Sequence, residues 1–460
     1  MSCFCRPDTV KEIVLSTLDD FKQVLKNAGI LGAGGAGFPS FAKLAEGADI
    51  LLINGAECEP LLYTDYMLMR DYLPLIVEGA QFVLKAANID RCYICIKDHN
   101  CHLLGLVDEQ ELAQDVRIRH LPDAYPMGDE VSLICEATGR LVQPGHLPIT
   151  QHVIVFNIET ILNIRNTLVN GAPVTEKYLT INGDVDHAYV VKVPVGMRVS
   201  ELFDSLGIRV PENDVVLDGG PSMGQIINPT TAVITKTTKS LLILPESIPA
   251  IVVKKRGPKD HLAIASSVCC QCSRCTDLCP RHALGYPLEP HKHVRVEAGV
   301  AEADPSMILS ATLCCGCGIC ELGACCQYIS PRAVIQHHKA ILAKNRMRYV
   351  APDDMNCMVR EEHPYTAVST ARWKDYLGVT KYDKEAIFYP ELKTARRVEI
   401  PLPLHIGAPS VPAVKEGDMV SKGQIIGNPG EGLSLPAHAS LSGKVIFADN
   451  QKIIIEEVKE

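Results

Sequence analysis

Crowded cysteines constrain this chain more than any other feature of its sequence. Eleven of its 19 cysteines fall between Cys269 and Cys326, within a chain of 460 residues. A short secreted scaffold would use such cysteines for disulfides, but residues 1–20 contain no signal-peptide core and no cleavage site of small residues. The pattern therefore predicts metal ligands in a reducing, cytoplasmic compartment.

The spacing of these cysteines is that of two iron–sulfur runs. The first run reads C-x2-C-x2-C-x3-C-P, which is typical of bacterial two-cluster ferredoxins, and the second has one extra residue and lacks the proline. In such ferredoxins, three thiolates of one run bind a [4Fe-4S] cluster together with the last cysteine of the other run. This predicts two ligand sets: Cys269, Cys272, Cys275 and Cys325 for one cluster, and Cys314, Cys317, Cys320 and Cys279 for the other.

Two alternatives concern these ligands. CxxC pairs also suit Zn²⁺, although two sets of three cysteines plus one fit iron–sulfur clusters better. Cys270, Cys315 and Cys326 are left over, and Cys326 can replace Cys325 because the two are adjacent.

Charge and hydropathy exclude two classes of function. The chain has 45 Lys and Arg against 54 Asp and Glu, and this net charge of −9 argues against a nucleic-acid partner. A membrane-spanning helix needs about 20 apolar residues. The nearest apolar run, Leu241 to Val253, is interrupted by Pro245 and Pro249, so we expect no transmembrane segment.

Hydrophobic periodicity predicts a multidomain α/β and α+β chain. Short apolar runs alternate with helical stretches in the first third, β-rich segments follow, and glycine-separated short strands close the chain. The predicted regions are an amphipathic extension over residues 1–24, an α/β domain over 25–177, a small α+β domain over 178–250, a helical cysteine-rich domain over 260–344, a linker or wrapping segment over 345–400, and an all-β module over 401–460.

A glycine-rich loop precedes acidic residues at the end of a predicted strand. The loop Gly32–Pro39 offers backbone N–H groups with no side chains in the way, which suits a phosphate or a flat ring. Asn54, Glu57 and Glu59 follow the apolar strand Ile50–Ile53, at the edge where α/β domains bind ligands. A glycine turn without a ligand is the alternative, because the loop lacks the GxGxxG register.

These motifs carry a family resemblance. The motifs are GAGGAGFP, Lys43, NGAECEP, Tyr125–Glu130 and Phe156–Thr160. In order and spacing they resemble the flavin- and NADH-binding subunit of respiratory complex I and, more closely, the C subunit of the Rnf complex. With its two cysteine runs and its C-terminal β module, the chain from Leu25 onward most resembles the cobalamin reductases of diol-utilisation microcompartments. The resemblance implies a complex I flavin-subunit-like domain, a soluble-ligand-binding β-grasp domain, a ferredoxin-like domain and a barrel-sandwich module.

The resemblance also implies a flavin site. FMN would be held by Gly32, Gly34, Gly35, Gly37, Phe38, Lys43, Asn54, Glu57, Tyr125, Gly128, Glu130, Asn157 and Thr160, with Glu59 toward the nicotinamide side. Ala56 and Phe156 stand where the complex I family has an acidic residue and an asparagine. Both departures remove polar contacts, so we expect a loosely bound FMN.

The implied activity is that of an NADH-dependent oxidoreductase. Electrons would pass from NADH through FMN and two [4Fe-4S] clusters to cobalamin, and no protein acid, base or nucleophile would be required. Implied partners are a corrinoid adenosyltransferase and microcompartment shell proteins. The N-terminal stripe of Val10, Ile13, Val14 and Leu18 fits either an encapsulation signal or a helix packed on its own domain. The alternative functions are an electron-transfer adaptor to another acceptor and a non-catalytic docking scaffold.

Overall fold

The computed structural model of the protein describes residues 17–458. The elements of its first domain are α1 (Leu18–Asn27), β1 (Ile50–Asn54), α2 (Thr64–Ala87), β2 (Arg91–Lys97), α3 (Asp98–Leu104), β3 (Glu111–Ala113), β4 (Val116–Leu121), β5 (Ala124–Tyr125), α4 (Glu130–Thr138), β6 (Val153–Asn157) and α5 (Ile158–Asn170). Five strands form a sheet in the order β3-β4-β2-β1-β6, in which β3 alone runs antiparallel to its neighbour. Helices α1, α2 and α5 cover one face and α4 covers the other, which explains why the run Ile50–Ile53 is apolar throughout.

The second domain is built on a six-stranded mixed sheet. Its elements are β7 (Glu176–Gly183), β8 (Ala188–Pro194), α6 (Val199–Leu206), β9 (Asp214–Asp218), β10 (Gln225–Ile227), β11 (Ser240–Pro245) and, from much later in the chain, β13 (Ala386–Leu392). The strand order is β10-β9-β11-β7-β8-β13. Strand β13 pairs in parallel with β8 and so ties the segment before the C-terminal module into this sheet. The β-grasp assignment stays a prediction.

Short helices frame the two cysteine runs. Because these runs hold the chain in tight turns, the helices between them are brief, and a π-helical turn covers Ile319–Ala324. The helices are α7 (Pro249–Lys255), α8 (Pro258–Val268), α9 (Arg274–Asp277), α10 (Pro280–Ala283), α11 (Pro290–Glu297), α12 (Pro305–Ser310) and α13 (Pro331–Lys344).

Residues 345–400 form structure that wraps around the preceding domains. The elements are α14 (His363–Thr366), β12 (Val368–Ser369), α15 (Thr370–Leu377) and the strand β13 described above. Strand β12 pairs with β5 of the first domain, and Trp373 of α15 is fully buried. Of the two interpretations, a wrapping segment therefore describes these contacts better than a linker.

The C-terminal module consists of a four-stranded and a three-stranded sheet. Its strands are β14 (Arg397–Pro401), β15 (Val411–Pro412), β16 (Met419–Val420), β17 (Ile425–Asn428), β18 (Ala437–His438), β19 (Gly443–Ala448) and β20 (Lys452–Glu456). Val398 and Ile455 belong to the same buried cluster as Leu179 and Val191 of the second domain. The module therefore shares a core with that domain, and β14 begins before the predicted boundary at residue 401.

The predicted N-terminal extension falls largely outside the described residues. Val10, Ile13 and Val14 lie in that part of the chain, whereas Leu18 begins α1. Phe21 and Leu25 of α1 are fully buried in the first domain. The predicted boundary at residue 24 therefore cuts a helix of the domain core. Within residues 17–458, no helix is long and apolar enough to span a membrane.

Candidate functional site

The glycine-rich loop presents bare backbone at the surface. Gly34, Gly35 and Ala36 are exposed, and Gly35 has a φ of +105°, a conformation that residues with a side chain rarely adopt. The loop is closed by a hydrogen bond of 2.9 Å from Gly32 N–H to the carbonyl oxygen of Phe38. Thr160 Oγ1 accepts the Ala33 N–H at 2.9 Å and so fixes the loop to α5. This exposed platform without side chains fits a flat ring or a phosphate.

Two asparagines border the loop. Asn54 and Asn157 are register partners at the carboxyl ends of β1 and β6. Asn54 Nδ2 donates to the carbonyl oxygen of Gly128 at 2.9 Å. A Cβ placed on Gly34 would lie 3.7 Å from Asn157 Cβ, so this asparagine stands directly beside the loop. The strand ends thus bring four predicted flavin residues together, namely Gly34, Asn54, Gly128 and Asn157.

Lys43 and Glu130 form an ion pair in the same region. Lys43 Nζ lies 2.5 Å from Glu130 Oε1 and also donates to the carbonyl oxygen of Val155 at 3.1 Å. Both side chains keep partial exposure, at 27% for Lys43 and 38% for Glu130. The lysine is therefore held in place by two acceptors, while its side chain stays partly exposed.

Glu57 is used by the protein itself. Its two carboxylate oxygens accept the backbone N–H groups of Asp65 at 2.7 Å and Tyr66 at 3.0 Å, at the N-terminus of α2. Burial and the neighbouring Asp65 carboxylate raise the pKa of Glu57 to about 7. Both carboxylate oxygens of Glu57 are thus engaged by the protein, and its role toward a flavin stays a prediction.

Glu59 connects the first domain to the second. Its oxygens accept the N–H groups of Ser222 at 2.9 Å and Met223 at 3.1 Å, and Tyr125 Oη donates to it at 3.4 Å. Burial raises the pKa of Glu59, partly offset by those amide donors and by Lys254. Glu59 thus lies at a domain contact with both carboxylate oxygens engaged, and its position toward a nicotinamide stays a prediction.

The two departures from the complex I pattern are buried. Ala56 is fully buried in the apolar core on the α4 face of the sheet. Phe156 is 2% exposed and lies in the core on the opposite face. Neither residue offers a polar group to a ligand. Both positions are consistent with fewer polar contacts to a flavin.

One predicted cysteine set is buried and gathered around a small cavity. Five cysteines line the cavity: the four members of this set, which we call the inner set (Cys279, Cys314, Cys317 and Cys320), and the leftover Cys315. Cys279 and Cys314 also pack in one apolar cluster with Leu288 and Ile335, although they belong to different runs. Cys279 of the first run thus lies among cysteines of the second run, and the exchange of ligands stays a prediction. Four converging thiols fit a [4Fe-4S] cluster.

The other predicted set lies nearer the surface, and we call it the outer set: Cys269, Cys272, Cys275 and Cys325. Cys269 and Cys325 pack against the same apolar cluster, while Cys272 is exposed. Burial and then the thiols of Cys325, Cys269 and Cys272 raise the pKa of Cys275 to about 12.

Two leftover cysteines lie beside the outer set. The Sγ atoms of Cys270, Cys272 and Cys326 are within 4.8 Å of one another, and all three residues are exposed. The exchange of Cys326 for Cys325 therefore stays open.

The inner set touches the candidate flavin region. Tyr125 Oη donates to the carbonyl oxygen of Cys317 at 2.7 Å. Arg281, two residues after Cys279, forms an ion pair of 2.8 Å with Asp129, next to Gly128. The inner set is therefore linked directly to the segment that carries the predicted flavin residues.

Two residues at this junction carry no motif in the sequence. The Trp373 ring stacks on Tyr125 with centroids 4.8 Å apart, and its Nε1 donates to Ser222 Oγ at 2.9 Å. The carbonyl oxygen of Ser222 accepts from Arg332 at 2.8 Å and Lys254 at 2.6 Å. The one available signal was that Trp373 is the single tryptophan of the chain.

Comparisons with protein families identify the parts of the chain. Residues 25–166 match the Nuo51 FMN-binding domain, 268–330 match the 4Fe-4S dicluster domain, and 383–457 match the RnfC barrel sandwich hybrid domain. The chain therefore carries an FMN-binding domain and a domain for two [4Fe-4S] clusters, as the sequence predicts.

Relatives match almost the whole chain. Cobalamin reductase PduS of Salmonella typhimurium is 36% identical over 95% of this chain and 96% of its own length. The chain belongs to the cobalamin reductase family. Cobalamin reductase PduS of Citrobacter freundii is 35% identical over 96% of this chain and 98% of its own length.

More distant relatives cover less of the chain. The C subunit of the Na⁺-translocating ferredoxin:NAD⁺ oxidoreductase complex of Acetobacterium woodii is 31% identical over 57% of this chain and 58% of its own length. Among solved structures, an NAD⁺-reducing [NiFe]-hydrogenase in the air-oxidized state is 18% identical, covering 80% of this chain and 68% of its own, with a TM-score of 0.48. That structural likeness carries no argument about function.

Proposed function

We propose that this chain reduces cobalamin with electrons from NADH. Membership of the cobalamin reductase family, an FMN-binding domain related to Nuo51 and a dicluster domain support this function. When bound, FMN accepts a hydride from NADH and releases its electrons singly, and [4Fe-4S] clusters carry single electrons. The observation that carries the proposal is the contact between the flavin segment and the inner set through Tyr125 and Cys317.

The flavin residues of this chain act by positioning. The exposed loop around Gly34 and Gly35 would support the isoalloxazine or the phosphate, with Asn54 and Asn157 beside it and Lys43 able to reach an anionic group. The loop's anchor at Thr160 and the ion pair of Lys43 with Glu130 keep these groups in place before FMN arrives. Such preorganisation lowers the cost of binding.

Burial gives the two cysteine sets different tasks. The inner set is enclosed and lies against the first domain, so it is suited to receive electrons. The outer set includes exposed Cys272, so it is suited to deliver electrons to an acceptor too large to enter the protein. Cys279 and Cys325 would each bind the cluster of the other run and so hold the two clusters close to one another.

An adaptor that serves another protein acceptor is the second candidate. It is favoured by the match to the C subunit of an ion-translocating complex, which would use the same internal route. A docking scaffold without cofactors is disfavoured by the exposed glycine platform and the four converging thiols of the inner set.

One anaerobic experiment separates these functions. The chain is reconstituted with iron, sulfide and FMN, NADH is added, and the spectra of flavin and of cob(III)alamin and cob(II)alamin are followed. We expect flavin reduction followed by corrinoid reduction. Flavin reduction with an unchanged corrinoid would indicate an adaptor, and a chain that binds no FMN would indicate a scaffold.

We further propose that the chain works in a bacterial microcompartment beside shell proteins and a corrinoid adenosyltransferase. Its support is the N-terminal apolar pattern of Val10, Ile13 and Val14, which lies outside the described residues. Deletion of residues 1–17 should abolish co-purification with shells. Unchanged co-purification would contradict this proposal.

A further inference from the structure

A segment of the second domain lies beneath the glycine-rich loop. It runs from Thr235 to Lys239, just before β11, and is mostly buried. Lys236 Nζ donates to the carbonyl oxygen of Gly29 at 2.8 Å, at the start of the loop region. A Cβ placed on Gly37 would lie 3.1 Å from Thr237 Cγ2. This five-residue segment therefore contacts Gly29, just before the loop, and Gly37 within it, although it contains none of the sequence motifs.

Lys239 extends this contact to the asparagine beside the loop. Its Nζ lies 2.5 Å from Asp65 Oδ1, and the other oxygen of Asp65 accepts from Asn157 Nδ2 at 2.9 Å. Asn157 in turn stands beside Gly34. A continuous chain of hydrogen bonds thus runs from the second domain to the edge of the candidate flavin site.

These groups form a buried charge network. Three carboxylates, those of Glu57, Asp65 and Glu159, meet two ammonium groups, those of Lys177 and Lys239. Lys239 Nζ is 4.0 Å from Glu159, and Glu159 pairs closely with Lys177. Burial alone would lower the pKa of Lys239, but the carboxylates of Asp65, Glu159 and Glu57 outweigh it and raise that pKa.

Removing one partner of such a network leaves an uncompensated buried charge, which is strongly destabilising. Asp65 is 3% exposed and Lys239 is 7% exposed, so water cannot replace the missing partner. Asp65 would then turn away from Asn157. Asn157 Nδ2 would lose its acceptor at 2.9 Å and keep only the longer contact of 3.4 Å with the carbonyl oxygen of Asn54.

We propose that Lys239 is a positioning residue of the flavin site, which holds Asn157 through Asp65 and so makes the second domain part of the FMN-binding machinery. The inference rests on the proposed function, because it assumes that FMN binds beside the glycine loop. It also assigns a function to the segment Thr235–Lys239, which lies outside residues 25–166, the region that matches the Nuo51 domain.

The test is FMN binding to the full chain with its iron–sulfur clusters in place. For Lys239→Met we expect the Kd for FMN to rise at least about tenfold, because a buried carboxylate loses its partner. We also expect a shift of the flavin midpoint potential to a more negative value, because a nearby positive charge favours the reduced, anionic flavin. Lys239→Arg should restore most of the affinity, since it keeps the charge.

Two further variants make the result decisive. Asp65→Asn keeps the size of the side chain but breaks the ion pair, and it should weaken FMN binding even if Lys239→Met folds poorly. Lys384→Met is the matched control, because Lys384 donates to the carbonyl oxygen of Val185 away from the loop. Wild-type affinity and potential in both Lys239→Met and Asp65→Asn would overturn the inference. Failure of the wild-type chain itself to bind FMN would instead overturn the proposed function.

Discussion

The inner and outer cysteine sets share one ligand chemistry but sit in different surroundings. The inner set is enclosed, with Cys317 and Cys320 each 8% exposed, and it contacts Tyr125 of the first domain. The outer set reaches the surface at Cys272, beside the exposed thiols of Cys270 and Cys326. Two similar sequence runs therefore lie in different surroundings. From these positions, and not from the type of ligand, we infer that electrons enter at the inner set and leave at the outer set.

The largest effect is expected from the inner set. In Cys317→Ser, NADH should still reduce the flavin, but cobalamin reduction should fall by about a hundredfold or more, because the enclosed cluster next to the flavin segment is damaged. Stopped-flow absorbance of flavin and corrinoid measures both steps. Cys357→Ser, at a half-buried cysteine outside both runs, is the matched control and should keep its activity. Corrinoid reduction at the wild-type rate in Cys317→Ser would contradict the role of the inner set as the entrance for electrons.

A smaller effect is expected from the outer set. Cys272→Ser should lower cobalamin reduction by about tenfold, because the nearby thiols of Cys270 and Cys326 can take over as a ligand. Iron content and the rate of corrinoid reduction are the measurements. Adding Cys326→Ser to this variant should deepen the loss. If Cys272→Ser proved as damaging as Cys317→Ser, the two sets would not differ in the way that their burial implies.

The enclosure of the inner set depends on Trp373. Truncation of this fully buried ring to alanine should cost about 3–5 kcal/mol of unfolding free energy. It should also let an iron chelator remove the inner cluster nearly as fast as the outer one. Urea unfolding and the time course of iron release test the two parts. If the wild-type chain lost both clusters at the same rate, the inner cluster would not be the better protected one, and this prediction would be contradicted.

The smallest effect concerns one hydrogen bond between the first domain and the inner set. Tyr125→Phe removes the donor to the Cys317 carbonyl oxygen and should cost about 1 kcal/mol of stability. The iron content should stay unchanged, because none of the thiols is altered. Urea unfolding and the rate of electron transfer from flavin to cluster provide the readout, and a variant without bound iron would contradict this limited role.

The chemistry-bearing motifs were readable from the sequence because they are local. The spacing of the cysteine runs predicted the grouping of Cys279 with Cys314, Cys317 and Cys320, and the strand before Asn54 placed that residue at a ligand-binding edge. The contacts of Ser222, Trp373 and Lys239 could not be predicted.

Each of those three residues meets partners more than a hundred positions away in the chain, and none lies in a motif. The same reason applies to Glu59, whose partners in the Ser222 turn belong to the second domain. Glu57 instead accepts N–H groups eight and nine positions along the chain, at the start of α2, which no motif indicates.

The most direct test of the account asks which cluster NADH can reduce when the other is missing. Electron paramagnetic resonance of the anaerobic Cys272→Ser and Cys317→Ser variants after NADH addition gives the answer. The account predicts that the inner cluster is reduced in Cys272→Ser, while the outer cluster stays oxidised in Cys317→Ser. Reduction of the outer cluster at the wild-type rate in Cys317→Ser would contradict the assigned order.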